Sequence, residues 1–186
     1  MYPLLWKMAI PAMIGMMVNS VYNMTDVFFV GLLQKTELVA AVGIVYSFTS
    51  LIQAIGFWFG YGSGNSAARK IGSGNSKEAE SVISVAILLT IIVGVGIMCI
   101  SLLFLAPLAE LLGADVSVEL MGATIPYLRI TLISVPVMLA ANVLYNVLRL
   151  QGSARDSMLG MLTGMVLNII LDPILILGFH MGVSGA

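Results

Sequence analysis

Two aspartates lie deep inside long apolar stretches of the sequence, where an acidic side chain is unusual. Asp26 and Asp172 occupy such positions, whereas the other acidic residues fall in predicted loops or at predicted helix ends. A charge at the centre of a membrane costs about 2.5–3.5 kcal/mol on insertion scales, so it normally faces a cavity or a partner. If these stretches cross a membrane, both aspartates are candidates for a functional site.

Polar residues accompany Asp26 at helical spacing. Asn19, Tyr22, Asn23 and Asp26 fall at positions i, i+3, i+4 and i+7, which places them in one stripe on one face of a helix. A polar stripe on an otherwise apolar helix indicates a face that is turned away from lipid. The stripe predicts that Asp26 faces the interior of a helical bundle.

Asp172 has a comparable setting. Asn168 precedes it by one helical turn, and Pro173 follows it directly. Because proline has no backbone N–H, it leaves the carbonyl of Ile169 without its usual helical partner. Such an exposed carbonyl is the kind of acceptor that cation sites in broken membrane helices use. The sequence therefore predicts a helix break at Pro173, beside an acidic site.

Carboxylate, amide and hydroxyl oxygens suit a hard cation such as Na⁺, or a proton held on a carboxylate. We predict a cation- or proton-coupling site at Asp26, Asn168 and Asp172, with Na⁺ as a possible bound ion and no cofactor. Asn142, Tyr145, Asn146 and Arg149 repeat the stripe spacing on the fourth helix. The first three are weaker candidates for lining a cavity, together with Asn19, Tyr22 and Asn23. The alternative is that these side chains only tie helices together, but serine, asparagine or threonine would serve that purpose at lower cost.

Composition places these residues in a membrane protein. Hydrophobic residues make up 60% of the 186-residue chain and charged residues only 9%, against about 25% charged residues in a soluble domain. Apolar runs of about 20 residues recur, and a helix of that length crosses the hydrocarbon of a bilayer. The runs are continuous, unlike the short alternating strands of a barrel. The chain has no basic stripe of the kind that binds nucleic acid.

The pattern predicts an all-α, polytopic fold with five transmembrane helices, at 4–33, 38–61, 82–105, 125–150 and 158–179. The third helix has a possible extension past Pro107 to Leu112, and a flexible loop is predicted at Gly62-Ser-Gly-Asn65, which repeats as Gly72-Ser-Gly-Asn75. Lys and Arg are concentrated between the second and third helices and between the fourth and fifth. The positive-inside rule then places the N-terminus in the cytoplasm.

The count of five spans is awkward for a transporter, since those folds are usually built from paired repeats. The small-residue run Gly182-Val-Ser-Gly-Ala186 looks like the entry to a sixth helix. We therefore expect residues 1–186 to form an N-terminal transporter lobe that is truncated before helix six.

Several segments resemble those of one family of transporters. The first helix, with Leu5-Trp-Lys-Met-Ala-Ile-Pro11, Asn19-x-x-Tyr-Asn-x-x-Asp26 and Phe28-Phe-Val-Gly31, resembles that of the multidrug and toxin extrusion (MATE) family. Ala67-Ala-Arg-Lys-Ile-Gly72, Arg149-Leu-Gln-Gly152, Asn168-Ile-Ile-Leu-Asp-Pro173 and Gly182-Val-Ser-Gly-Ala186 are similar to later segments of that family, in the same order. The resemblance covers essentially the whole chain.

The resemblance implies one lobe of a twelve-helix, two-lobe antiporter in the plasma membrane. Such proteins exchange Na⁺ or H⁺ for lipophilic cationic compounds by alternating access. It assigns Asp26, Asn168 and Asp172 as the coupling residues. It also implies that a second six-helix lobe is a partner of this chain, with the lipid bilayer and the cationic substrate as the others.

Three alternatives remain at this point. An intramembrane aspartyl protease also uses two membrane aspartates, but Asp172 follows Leu171 without a Gly-x-Gly-Asp motif, and Asp26 follows Thr25. A lipid-linked sugar flippase of related architecture would favour cationic residues in its cavity, where this sequence places acids. A non-transporting helical scaffold would tolerate asparagine at both aspartates.

Overall fold

The computed structural model describes residues 2–179 and residue 185, and this part of the chain is helical without a strand. The prediction of an all-α fold is confirmed. The α-helices of this part are α1 (Tyr2–Gly31), α2 (Thr36–Gly72), α3 (Ser76–Leu103), α4 (Leu105–Leu111), α5 (Val118–Leu150) and α6 (Ala154–Pro173). A 3-10 turn at Ala114–Val116 precedes α5, and a π-helical turn at Ile174–Gly178 follows α6. The run Gly182–Ala186, apart from Gly185, and the hint of a sixth helix in it lie outside the described residues.

Four helices in the described part are long and apolar enough to cross a membrane: α2, α3, α5 and the stretch Ala154–Ile176. The prediction of five spans also counted the first helix, which is the 30-residue α1; that α1 crosses the membrane stays a prediction. Large apolar side chains cover the outside of the bundle, among them Trp58, 77% exposed, and Leu103, 80% exposed. An outer surface of this kind is compatible with lipid and not with water.

The predicted loop at Gly62-Ser-Gly-Asn65 is wrong, because α2 continues through it to Gly72 instead of ending at 61. The hydroxyl of Ser63 donates to the carbonyl of Phe59 at 2.7 Å, so this polar group is satisfied within the helix. Glycine permits close helix packing here, as described below. The second copy of the repeat does form a turn, since Gly74 has a φ of +81° and the side chain of Asn75 accepts from the N–H of Glu78 at the start of α3.

The predicted extension of the third helix past Pro107 is also wrong, because the chain breaks at Phe104 and starts a separate helix, α4. Pro107 has no N–H to donate to the carbonyl of Leu103, so an uninterrupted helix would lose a bond at this point.

Three helices begin clearly earlier than predicted. α3 starts at Ser76 and not at 82. α5 starts at Val118 and not at 125, because the Ser117 hydroxyl accepts from the N–H of Leu120 at 3.1 Å and caps the helix. α6 starts at Ala154 and not at 158. α5 continues through Pro126 and Pro136 without a break.

Glycines bring α2 very close to α5. A Cβ atom added at Gly56 would lie 2.9 Å from the Cβ of Asn142, and one added at Gly60 would lie 2.8 Å from the Cβ of Asn146. No real Cβ fits at such distances, so only glycine permits this approach. α5 also packs on α3, where Gly94 faces the backbone of Pro136 in the same way, at 2.7 Å.

The main apolar core lies around α5, between α2 and the α4 region. Its buried members are Val45, Ile52, Leu105, Ala109, Ala114, Leu128, Leu132, Val135 and Leu139. α1 packs along α6 on the other side of the bundle. This pairing of the first and last helices of the described chain brings the two membrane aspartates together.

Candidate ion-coupling site and cavity

One amide side chain joins the two aspartates. The Nδ2 atom of Asn168 donates to Oδ1 of Asp26 at 3.1 Å and to Oδ1 of Asp172 at 2.9 Å. Asn168 and Asp172 are one turn apart on α6, whereas Asp26 comes from α1. Both carboxyl groups are buried, with exposures of 6% for Asp26 and 2% for Asp172. The structure thus brings together all three residues that the sequence singled out as coupling residues.

Two oxygen atoms of this cluster are buried and have no hydrogen-bond donor within the described residues: Oδ1 of Asn168 and Oδ2 of Asp172. The two carboxyl groups are also within electrostatic range of each other. Burying polar oxygens without a partner costs free energy, about 1–3 kcal/mol each or more if charged. A proton or a small hard cation bound between these oxygens would remove that cost, so their arrangement fits such a ligand.

Two tyrosines approach the cluster. The phenol groups of Tyr22 and Tyr127 are both within electrostatic range of Asp26 and Asp172. The sequence analysis named Tyr22 but missed Tyr127, which lies on α5 two turns before Ser134. Tyr127, Thr131, Ser134 and Asn142 share one face of α5 at helical spacing. Extending the polar stripe at Asn142 toward the N-terminus of its helix would have found it.

A cavity of about 490 Å³ lies between α1, α2, α5 and α6. Its lining includes Tyr22, Phe57, Asn142, Tyr145, Arg149 and Met161. Three of the weaker candidates, Tyr22, Asn142 and Tyr145, therefore do reach this cavity. The volume falls within the range of small-molecule sites, about 300–1,000 Å³.

The other weaker candidates have different surroundings. Asn146 is 2% exposed and lies in the interface between α5 and α2; its Nδ2 donates to the carbonyl of Asn142 at 2.8 Å and its Oδ1 accepts from Arg149. Asn23 is half-buried on α1. The side chain of Asn19 lies outside the described part of the chain. Asn146 thus positions its neighbours and is not itself part of the cavity wall.

Arg149 alters one argument drawn from the sequence. The flippase alternative was disfavoured because acids, not cations, were expected in the cavity. A guanidinium group nevertheless lines this cavity, at the end of α5. Arg149 was placed on the polar stripe of this helix and counted among the cytoplasmic charges, but it was not expected to line the cavity.

The helix changes its hydrogen bonding directly after Pro173. The N–H of Phe179 donates to the carbonyl of Ile174 at 2.9 Å, five residues back, as in a π-helix. π-Turns inside helices occur mostly where a site distorts the helix. The distorted segment begins two residues after Asp172, so the acidic cluster lies at a discontinuity at the end of α6.

The sequence profile of the MatE family matches residues 11–174 of this chain. The multidrug export protein MepA of Staphylococcus haemolyticus is 33% identical over 178 residues, which cover 96% of this chain and 39% of that protein. MepA of Staphylococcus aureus strain NCTC 8325 is 32% identical over the same length. The chain thus spans about two-fifths of the length of these relatives.

Solved structures give the same answer for the fold. A crystal structure of MATE in the bent conformation superimposes with a TM-score of 0.89 at 34% identity, covering 98% of this chain and 40% of that one. A MOP superfamily transporter from Pyrococcus furiosus superimposes with a TM-score of 0.84 at 34% identity and the same coverage. The covered part corresponds to the N-terminal half of these transporters. The chain is a multi-pass membrane protein of the MatE family of multidrug efflux transporters.

Proposed function

We propose that this chain is the ion-coupling lobe of an antiporter in the plasma membrane. The antiporter exports lipophilic cationic compounds in exchange for Na⁺ or H⁺. The observation that carries the proposal is the bridge from Asn168 to both Asp26 and Asp172, with two buried oxygens of the same cluster left unpartnered. The relatives' description as multidrug export proteins supports the export of drugs.

The cluster can alternate between two occupied states. Two carboxylates that are held close together by one amide and buried away from water resist double ionisation, so the pair keeps one proton unless a cation takes its place. A Na⁺ ion would use the free oxygens of Asp172 and Asn168 together with an oxygen of Asp26. Exchange of the ion for the proton changes the charge of a site that lies between α1 and α6.

Alternating access follows if the charge of the acidic cluster controls how α1 and α6 are arranged relative to each other. Asp172 belongs to the last turn of α6, immediately before the π-turn, and Asp26 belongs to α1. An ion that binds oxygens from both helices stabilises the arrangement in which those oxygens converge. The size of this stabilisation is set by the difference between the ion's affinities for the two arrangements of the helices. The concentration of Lys and Arg in the 62–79 and 149–156 segments supports an orientation with the N-terminus in the cytoplasm.

Asparagine replacements test the coupling role, because Asp→Asn removes the charge and keeps the shape. Cells that express the protein are loaded with a fluorescent lipophilic cation, and efflux is followed under an imposed Na⁺ or pH gradient. We expect Asp26→Asn and Asp172→Asn to lose gradient-driven efflux while membrane expression stays unchanged. The gradient that drives the parent protein identifies the coupling ion.

The matched control is Asp115→Asn, the same chemical change at an exposed position in the 3-10 turn. It should transport like the parent protein. Efflux at the parent rate in both membrane variants would mean that these aspartates are structural, and the proposed coupling would be wrong.

A lipid-linked flippase is the second candidate, and Arg149 in the cavity wall is the observation that favours it. A flippase would bind a pyrophosphate headgroup through several cationic side chains. Arg149 is the one Lys or Arg side chain that lines this cavity within the described residues. Transport of a lipid-linked pyrophosphate by reconstituted vesicles, with no efflux of lipophilic cations, would favour this alternative.

A further inference from the structure

A charged side chain without a carboxylate partner lines the central cavity. Arg149 lies in the last turn of α5 and is half-buried. Within the described residues no carboxylate lies within ion-pair distance of it, in contrast to the exposed pair Lys70 and Glu78. Arg149 is thus a charged group in the cavity wall that no carboxylate of the described residues neutralises, so it can pair with an anionic group of a ligand.

The guanidinium group is held in place by two residues but not saturated by them. Its Nη2 donates to the hydroxyl of Tyr61 at 2.8 Å and to Oδ1 of Asn146 at 2.6 Å. The same group lies over the Tyr61 ring, 5.4 Å from its centre. Arginine has five N–H donors, and among the described residues these two bonds are the only ones that the guanidinium makes. The remaining donors are available on a pre-oriented group.

These contacts distinguish Arg149 from an arginine that reaches for lipid headgroups. Tyr61 belongs to α2 and Asn146 to the α2-facing side of α5, so the guanidinium is held against the bundle. Phe57, Met138 and Met161 line the same cavity, and flexible methionines adapt to apolar ligands of different shape. The cavity therefore combines an apolar wall with one guanidinium group in a fixed orientation. The planar N–H donors of a guanidinium match the oxygens of a carboxylate, sulfonate or phosphate.

Arg149 is remote from the acidic cluster. α5 ends at Leu150 and α6 begins at Ala154, so Arg149 lies near the start of α6, whereas Asp172 lies at its end. The 20 residues of α6 span about 30 Å at 1.5 Å per residue. The guanidinium of Arg149 and the acidic cluster thus bind different ligands or act at opposite ends of the lobe.

We propose that Arg149 binds the acidic group of amphiphilic compounds in this cavity. The ligand class is then organic anions and zwitterions with an apolar body, in addition to the lipophilic cations, and this extension rests on the proposed export function. Tyr61 and Asn146 act as positioning residues, which orient the guanidinium group of Arg149 toward the cavity.

A matched pair of probes tests the proposal directly. 8-Anilinonaphthalene-1-sulfonate and N-phenyl-1-naphthylamine share one apolar body, and only the first carries an anionic group. Their binding to the chain in phosphatidylcholine nanodiscs is measured by fluorescence, with empty nanodiscs subtracted. We expect Arg149→Gln to weaken sulfonate binding at least tenfold and to change amine binding less than twofold.

Three further variants separate charge from structure. Arg149→Lys keeps the charge and should retain most of the sulfonate binding. This variant replaces Arg149→Gln in the test if Arg149→Gln does not insert into the membrane. Tyr61→Phe removes one acceptor and should weaken sulfonate binding about threefold, with the amine unaffected. Arg155→Gln removes the same charge at an exposed position in the first turn of α6 and should bind both probes like the parent chain.

Three results would overturn the proposal. The first two are an equal loss of binding of both probes in Arg149→Gln, which means a structural role, and no loss of binding of either probe. The third result is displacement of the sulfonate probe from the parent chain by added phosphatidylglycerol. It would assign the site to a lipid headgroup instead of a soluble compound. Asp26→Asn should leave the ratio of the two affinities unchanged. Failure of ion coupling is thereby distinguished from failure of the anion site.

Discussion

Asn168 donates to Asp26 across 3.1 Å, although the two residues are 142 positions apart in the sequence. This bond is a direct polar link between α6 and α1 at the acidic cluster. The same Nδ2 atom serves Asp172, so one side chain holds both acids in place. The consequences for stability and for ion binding can be tested separately.

Asn168→Ala should lower the thermal stability of the purified chain and abolish its stabilisation by Na⁺. Two bonds to carboxyl groups are lost, and hydrogen bonds to charged groups contribute about 1.5–3 kcal/mol each. Thermal unfolding in detergent, with NaCl compared against choline chloride, measures both effects. Asn65→Ala, at an exposed position of α2, is the control and should respond to Na⁺ like the parent. An unchanged Na⁺ response in Asn168→Ala would contradict a ligand role for this amide.

The double variant Asp26→Asn/Asp172→Asn should be little worse in gradient-driven efflux than either single variant. In the proposed mechanism the two carboxyl groups hold one ion or proton jointly, so the first replacement already removes the coupled unit. Efflux rates of the four proteins form a double-mutant cycle. Losses that simply add in free energy would mean that the two aspartates act independently.

Gly60→Ala should destabilise the bundle by about 1–3 kcal/mol, the usual cost of overpacking. The added methyl would lie 2.8 Å from the Cβ of Asn146, and the α2 and α5 backbones would have to separate. Gly62→Ala in the same helix is the matched control, because nothing lies within 4 Å of its added Cβ. It should be neutral or slightly stabilising. Equal melting temperatures for the two variants would argue against close packing of α2 on α5.

Pro173→Ala should fold normally and shift the Na⁺ or pH dependence of efflux by a modest factor of about two to five. Alanine restores a donor to the carbonyl of Ile169 and favours a regular α-helix over the π-turn at Ile174–Gly178. Pro107→Ala, in the exposed part of α4, should leave the ion dependence unchanged. An ion dependence identical to that of the parent would exclude a coupling role for the helix break.

Residues 32–37 should face the outside and the turn between α2 and α3 the cytoplasm. In a Cys99→Ser background, an impermeant thiol reagent applied to intact cells should label Thr36→Cys and not Ser73→Cys. Both positions are exposed and lie at the ends of α2, so reactivity differs only by the side of the membrane. Strong labelling of Ser73→Cys alone would reverse the proposed orientation.

The acidic cluster could be predicted because its pattern is local. Asn168 and Asp172 are one turn apart, and a carboxyl group in an apolar run needs a partner whatever the fold. That the partner of α6 would be α1 could not be predicted, since helical spacing fixes which face is polar but not which helix covers it. The place of Tyr127 on the polar face of α5 could have been predicted from spacing, but its closeness to Asp26 and Asp172 depends on the packing of α5 and could not.

The errors at helix ends have one physical origin. Gly62-Ser-Gly-Asn65 looks like a loop by composition, because small and polar residues are poor helix formers in water. In this bundle the neighbouring Gly60 and Gly64 permit backbone contact with α5, and that packing outweighs the intrinsic propensity.

The glycines of α2 and α3 bring these helices closer to α5 than a residue with a Cβ atom would allow. α1 contacts α6 at the acidic cluster, next to a π-turn. For the proposed ion exchange we therefore expect α1 and α6 to move against a frame of α2, α3 and α5. Since α1 and α6 form part of the cavity wall, the shape of the cavity would then depend on which ion is bound.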